Sequence, residues 1–227
     1  MKNYHYTNKS LFLISNVIKF FALSLLIIFL IYQYFITNKY IFFYYFGFVP
    51  VIFSLNSFFT AVSYSFIHSS WLHLFLNLGI LLSFGSILAK KLGSITFVIF
   101  WLISSVVCAL GHYYLIPYSF IPLVGASGVL SAVVGGAARY GFFINERHTL
   151  DFNNKYLSLK EVRYNKIVMS FIVIWLLLNV SYLFFSIFDG FNNIATDVHL
   201  IGFIFGFFTI KFFIKLTFYL SNSGLYK

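Results

Sequence analysis

Only 20 of the 227 side chains carry a formal charge, fifteen basic and five acidic, and they punctuate long apolar runs. A soluble domain has charge on roughly 25% of its residues, against 9% here. With 61% of the residues apolar, a water-soluble globule is excluded. Disorder is excluded too, because a chain stays unfolded in water only when its hydrophobicity is low. A helical crossing of a bilayer takes about 20 residues, so the length accommodates about six helices with short loops. The expected architecture is an all-α membrane protein, a six-transmembrane-helix bundle forming one integral membrane domain over residues 1–227 with no soluble domain attached.

The net charge of +10 does not point to nucleic acid, because binding of that kind needs basic residues gathered on one folded surface. The single cysteine, Cys108, sits in an apolar stretch, so no intramolecular disulfide forms and redox chemistry does not reveal the compartment. Lys2, Lys9 and Lys19 precede an apolar run in the manner of a signal peptide. No A-x-A site closes that run, and Tyr32-Gln33-Tyr34 is a poor cleavage context, so it reads as an uncleaved first crossing.

The uncharged runs predict helices near 13–36, 68–89, 94–113, 125–144, 166–188 and 196–215. Residues 1–12 are then a cytoplasmic tail, 37–66 an outer loop and 145–165 a polar cytoplasmic loop. With the amino terminus inside, fourteen of the fifteen Lys and Arg residues fall on the cytoplasmic side and only Lys39 falls outside. Such a bias sets orientation by the positive-inside rule. The expected location is the cell (inner) membrane of a bacterium, with both termini cytoplasmic. In segment 37–66 the rings of Tyr40, Phe42, Phe43, Tyr44, Tyr45, Phe46 and Phe48 crowd together before Pro50. Aromatic residues favour the membrane interface, and the proline with scattered Gly and Ser disfavours a crossing, so a partly membrane-embedded outer loop is expected.

Polar groups at depth in a membrane are functional candidates. The predicted second, fourth and sixth helices run in the same direction, so distance to the first cytoplasmic basic residue measures depth. Asn77 is 13 residues from Lys90, Ser127 is 12 from Arg139 and His199 is 12 from Lys211. At 1.5 Å per residue, all three lie about 18–20 Å above the inner boundary.

A serine and a histidine at one level are the minimum for nucleophilic acyl chemistry, in which imidazole takes the hydroxyl proton and returns it to the leaving amine. Ser127 lies in Gly125-Ala126-Ser127-Gly128 at a helix start, where free N–H groups and the positive dipole end can hold an oxyanion. His73 and Asn77 are four apart on one helix face, from which two more donors can reach that anion. Ser127, Ser131 and Gly135 form one row of small residues, and His199, Gly202 and Gly206 lie on another. Rows of this kind let helices approach closely in lipid. Each piece has a plainer reading: a membrane serine usually bonds to its own backbone, glycines are packing devices, and a lone histidine is usually a packed core group. Agreement in depth, direction and packing face favours a site.

The run His68-Ser69-Ser70-Trp71-Leu72-His73-Leu74-Phe75-Leu76-Asn77 resembles the H-x4-H-x3-N pattern of the rhomboid family of intramembrane serine proteases. Gly125-Ala126-Ser127-Gly128 resembles that family's G-x-S-G, and His199-Leu200-Ile201-Gly202 with Gly206 resembles its H-x-x-G-x-x-x-G. The resemblance covers the second to sixth helices. It implies a rhomboid-like bundle in which Ser127 is the nucleophile and His199 the general base. It also implies an oxyanion hole made by His73, Asn77 and the Ser127 backbone, a turn at Gly125, and supporting places for His68, Gly128, Gly202 and Gly206.

There are departures from the pattern. Phe59-Thr60 stands where the family has Trp-Arg, Ala89 where it has a glutamate between Gly85 and Gly93, Ser131 where an aromatic residue is frequent, and Val198 where alanine precedes the histidine. The short form lacking that glutamate is similar to the rhombosortase branch, which trims sorting tails of exported proteins.

Asp197 is two residues before His199, and i,i+2 side chains on a helix do not face each other, so a Ser-His dyad is expected. No H-E-x-x-H zinc pair is present, and Asp189 and Asp197 fall in one outer loop instead of forming a facing aspartyl dyad. The expected function is hydrolysis of a peptide bond in or next to a substrate's transmembrane helix near the outer face, with no cofactor or metal. Segment 37–66 and the fifth helix are the expected gates. The partners are transmembrane protein substrates and the lipid bilayer. A catalytically inactive relative that binds membrane clients is the alternative. A transporter would need ionisable groups along a path or helices broken in both halves, and neither is visible.

Overall fold

A computed structural model of the chain describes residues 14–140, 142–144, 150–152, 156–188 and 196–223. The tail 1–12, Asp189 and residues 145–149 and 153–155 of the polar loop lie outside the described residues.

The first helix, α1 (Asn16–Phe35), is apolar on all sides, yet it buries one stripe: Val17, Ile18, Phe21, Leu25, Phe29 and Tyr32. Spacings of three and four residues put these on one face, while Phe20, Leu23, Ile27 and Ile31 point outward. That is the arrangement of a helix whose solvent is hydrocarbon, where sidedness comes from packing and not from polarity. Phe21 stacks on Trp101 at 4.3 Å and Phe29 meets Trp71 edge-on at 4.7 Å.

Segment 37–66 folds back on itself through α2 (Lys39–Phe46), α3 (Thr60–Ser63) and three single 3-10 turns. Its longest helix has 8 residues, too few to span a bilayer. Asn38 caps α2, and Pro50 opens a turn where its missing N–H costs nothing. The segment is tied down at several points. Phe48 pairs with Leu123 through two backbone bonds, Ser63 donates to the Phe46 carbonyl, and the Tyr64 hydroxyl donates to the Ser105 carbonyl. Both Trp101 Nε1 and the Ser105 hydroxyl donate to the Ser65 oxygen at 3.2 Å.

Next come α4 (Trp71–Ile80), a π-turn at Leu81–Gly85 and α5 (Ser86–Leu115), a 45-residue apolar run broken at Gly93. Gly93 adopts φ 73° and ψ 166°, which a residue with a Cβ resists. The break divides the run into two arms of about 33 Å each. They are antiparallel, because His73 near the start of the first arm and His112 near the end of the second meet the same end of the bundle. His73 lies against Gly125, and His112 bonds Asp197 at the start of α9 (Thr196–Asn222).

Helix α6 (Ser127–Ala138) is the centre of the molecule: every residue from Gly128 to Ala138 is buried. It ends at Ala138, six residues before the expected 144. A turn at Arg139 and Tyr140 and a hairpin strand β1 (Phe142–Ile144), paired with β2 (Leu150–Phe152), replace the last helical turns. Apart from this short hairpin the described architecture is helical, as expected. Arg139, counted on sequence as a boundary charge, is buried: its guanidinium donates to the carbonyls of Leu157 and Phe207. After α7 (Leu159–Tyr164), capped by Ser158 and Glu161, α8 (Lys166–Phe188) packs on α9. Helix α9 runs seven residues beyond the expected 215. Among the described residues, three helical runs, Asn16–Phe35, Trp71–Leu115 and Thr196–Asn222, are long and apolar enough to cross a membrane.

Candidate active site

The seam between α6 and α9 is made by missing side chains. A Cβ built on Gly202 would strike the Gly128 carbonyl, one on Gly206 the Ala132 carbonyl, and one on Gly135 the Phe203 carbonyl. Backbone therefore touches backbone along the seam, the close approach that small residues permit in lipid. The face of α6 in contact is Gly128, Ala132 and Gly135, one position round from the Ser127/Ser131 row read from sequence; Gly135 belongs to both. Gly128 also lies 3.2 Å, measured from its Cβ position, from the Val198 Cβ and the Cys108 sulfur. The consequence is that the α9 segment carrying His199 faces the first turn of α6, where Ser127 stands half-buried.

The chain enters α6 through Gly125, whose φ of 115° is in the left-handed region. Its N–H donates to the Tyr64 carbonyl at 2.9 Å, so segment 37–66 holds the turn. A Cβ at Gly125 would come within 2.6 Å of both Cε1 and Nε2 of His73. The imidazole of His73 is thus seated on the turn that presents Ser127. His73 is held in turn by Ser69, whose hydroxyl is 3.3 Å from Nδ1, and by Ser70, which caps α4 by accepting from the His73 N–H. The His68 ring is fully buried and meets the His73 ring edge-on at 5.0 Å. Asn77 is buried one turn further along α4, its amide nitrogen donating to the His73 carbonyl at 2.7 Å.

His199 lies within electrostatic reach of His73 and Asp197. Residues from α4, the Gly125 turn, α6 and α9 thus converge at one end of the bundle. No hydrogen bond joins Ser127 to another side chain among the described residues.

Two polar partners went unread in the sequence. The Asn179 amide on α8 is 3.0 Å from His199 Nδ1. Asp197, set aside as unable to face His199, pairs with His112 of α5 at 2.6 Å. The available signal for Asn179 was a lone amide in the apolar run of α8, which is costly in a membrane without a partner. Among the described residues no cluster of three or more His, Cys, Asp or Glu side chains is arranged to hold a metal.

A family model, the Rhomboid domain, matches residues 55–216, more than two thirds of the chain and every group from His68 to Gly206. A comparison with curated proteins finds no match.

Proposed function

Since the chain belongs to the rhomboid family, whose members are generally intramembrane serine proteases, we propose that it cuts a peptide bond in or beside a substrate's transmembrane helix, using Ser127 and His199. The observation that carries this reading is the α6–α9 seam, which sets the helix start bearing Ser127 against the turn of α9 bearing His199, with His73 on the adjoining Gly125 turn.

In this mechanism Ser127 Oγ attacks the scissile carbonyl while His199 Nε2 takes its proton. The tetrahedral oxyanion forms at the start of α6, where the first N–H groups have no helical partner. The Ser127 amide donates to it, and Asn77 Nδ2 and His73 Nε2 supply two further donors. That role places the hydrogen of His73 on Nε2, the edge that meets the Gly125 turn, and leaves Nδ1 to accept from the Ser69 hydroxyl 3.3 Å away. The intermediate collapses, His199 hands its proton to the leaving amine, and water then hydrolyses the acyl enzyme by the same route in reverse.

Six crossings follow when the Gly93 break is counted as a turn and the shorter α6 and α8 are added to the long apolar runs. Fourteen of fifteen basic residues then lie on the cytoplasmic side, and the site faces the outer leaflet of a bacterial inner membrane. Segment 37–66 and α8 flank the site as gates through which a lipid-embedded substrate enters.

The test is incubation of the purified protein with a serine-directed fluorophosphonate and a model transmembrane substrate. Wild type is expected to label and cleave, and Ser127→Ala and His199→Ala to do neither. Equal cleavage by those variants would remove the protease reading. Binding of a client without cutting it by wild type would favour the inactive relative.

A further inference from the structure

We infer that Asn179 is the positioning residue of the base, its side-chain oxygen holding the Nδ1–H of His199 so that Nε2 presents a lone pair to Ser127. This rests on the protease reading above.

The amide has no freedom to turn over. Asn179 Nδ2 donates to the Trp175 carbonyl one turn back at 2.8 Å, and that carbonyl can only accept. The Oδ1 atom therefore faces His199, at 3.0 Å from Nδ1. An amide oxygen also only accepts, so Nδ1 must carry the hydrogen. In a neutral imidazole the other nitrogen, Nε2, is then the acceptor, which is the tautomer a general base requires. Asn179 fills the place of the third member that the sequence lacked, from a helix the dyad reading did not involve.

Choice of an amide over a carboxylate has a physical reason. An ionised carboxylate at this depth would be expensive in lipid and would stabilise the imidazolium, raising the pH at which the base becomes free. An amide fixes the tautomer without adding charge. The other titratable groups whose charge reaches His199 are Asp197 on its own helix, which turns to pair with His112 of α5, and His73 of α4. Neither makes a hydrogen bond to the His199 ring among the described residues.

The helix that supplies the amide is held to α9 by side chains, chiefly the Trp175 ring stacked on Phe203 at 4.3 Å. Its outer face, with Val173, Ile174, Leu177, Leu178 and Val180, is exposed. Orientation of the base thus depends on α8 lying against α9.

Full-length protein in lipid vesicles with a model transmembrane substrate tests the assignment, with kcat and KM measured across pH for wild type, Ser127→Ala, Asn179→Ala and Asn179→Asp. Asn179→Ala is expected to lower kcat by roughly ten- to a hundredfold with KM within about twofold, since general-base catalysis contributes 10²–10⁴ and only its orientation is lost. Asn179→Asp is expected to recover most of kcat with the acid limb moved to higher pH, because the new carboxylate favours protonated His199. Asn179→Ala indistinguishable from wild type at every pH would overturn the assignment. So would equal losses in both variants with an unmoved acid limb, the mark of a merely structural role. Continued cleavage by Ser127→Ala would instead bring down the protease reading itself.

Discussion

Helix α9 is gripped on two sides in different ways. Towards α6 it presents Gly202 and Gly206, and backbone meets backbone with no side chain to adjust. Towards α8 it presents Phe203 and His199, which meet Trp175 by ring stacking and Asn179 by one hydrogen bond. The first contact sets where His199 stands relative to Ser127, and it cannot yield without parting two helices. The second sets which way the imidazole points, and it can open and close with α8. Placement and orientation of one residue are therefore assigned to different neighbours, one fixed and one adjustable.

The seam should be the most fragile part of the protein to change. Gly206→Val must push α9 off the Ala132 carbonyl, and Gly202→Val must push it off that of Gly128. Overpacking costs about 1–3 kcal/mol where side chains can shift, and here the obstruction is backbone. Thermal unfolding in detergent is expected to show the largest destabilisation of any substitution considered, with cleavage abolished. A fully active Gly206→Val protein would mean that the seam is not the fixed contact.

Next in size is Gly125→Ala. The substitution places a Cβ at positive φ, at about 1–3 kcal/mol, and drives it into the His73 ring at 2.6 Å. Displacing either group by about 1 Å costs about 100-fold in rate. Fluorophosphonate labelling should fall by that order while the unfolding temperature falls less than for Gly206→Val. Labelling at the wild-type rate would separate His73 from the chemistry.

The two contacts also differ in how far they could be read from the sequence. Small residues recurring at helical spacing on two charge-free runs announced that α6 and α9 pack closely, because no other pattern permits it in lipid. The register was off by one position, since Ser127/Ser131 and Gly128/Ala132 rows differ by a rotation of 100° and both are small. The contact to α8 was invisible. Asn179 satisfies its own helix at Trp175, as a lone polar residue in a membrane helix ordinarily does, and the second bond of its amide depends on a helix crossing that spacing along the chain does not encode. His112 and Asp197 were missed for the same reason, being 85 residues apart. Helix α6 was drawn too long because Phe142, Phe143 and Ile144 continue the apolar run, and hydropathy does not distinguish a helical turn from a short strand.

The His112–Asp197 pair is an intermediate case, a polar clamp that is only partly shielded, with 23% of the Asp197 side chain exposed. Asp197→Asn should cost about 1 kcal/mol or less in unfolding free energy, as partly solvated pairs do, and lower cleavage a few-fold by loosening the start of α9 beside His199. An unfolding shift as large as that of Gly206→Val would show that the outer clamp, and not the seam, holds α9.

A similarly small effect on stability is expected where the contact is adjustable. Trp175→Ala removes the stack on Phe203, about 0.5–1.5 kcal/mol for an aromatic pair, and α8 keeps its remaining apolar contacts with α9 and with lipid. Unfolding should therefore shift less than for Gly125→Ala. Turnover should respond more than stability does, because the carbonyl that fixes the Asn179 amide belongs to residue 175, whose backbone now sits on a less firmly held helix. A split of that kind, with a small stability change beside a clear loss in kcat that Trp175→Phe restores, is the signature of a contact that orients without holding the fold together. If Trp175→Ala instead unfolds the protein as readily as Gly206→Val, α8 is as fixed as α6, and the division between placement and orientation is lost.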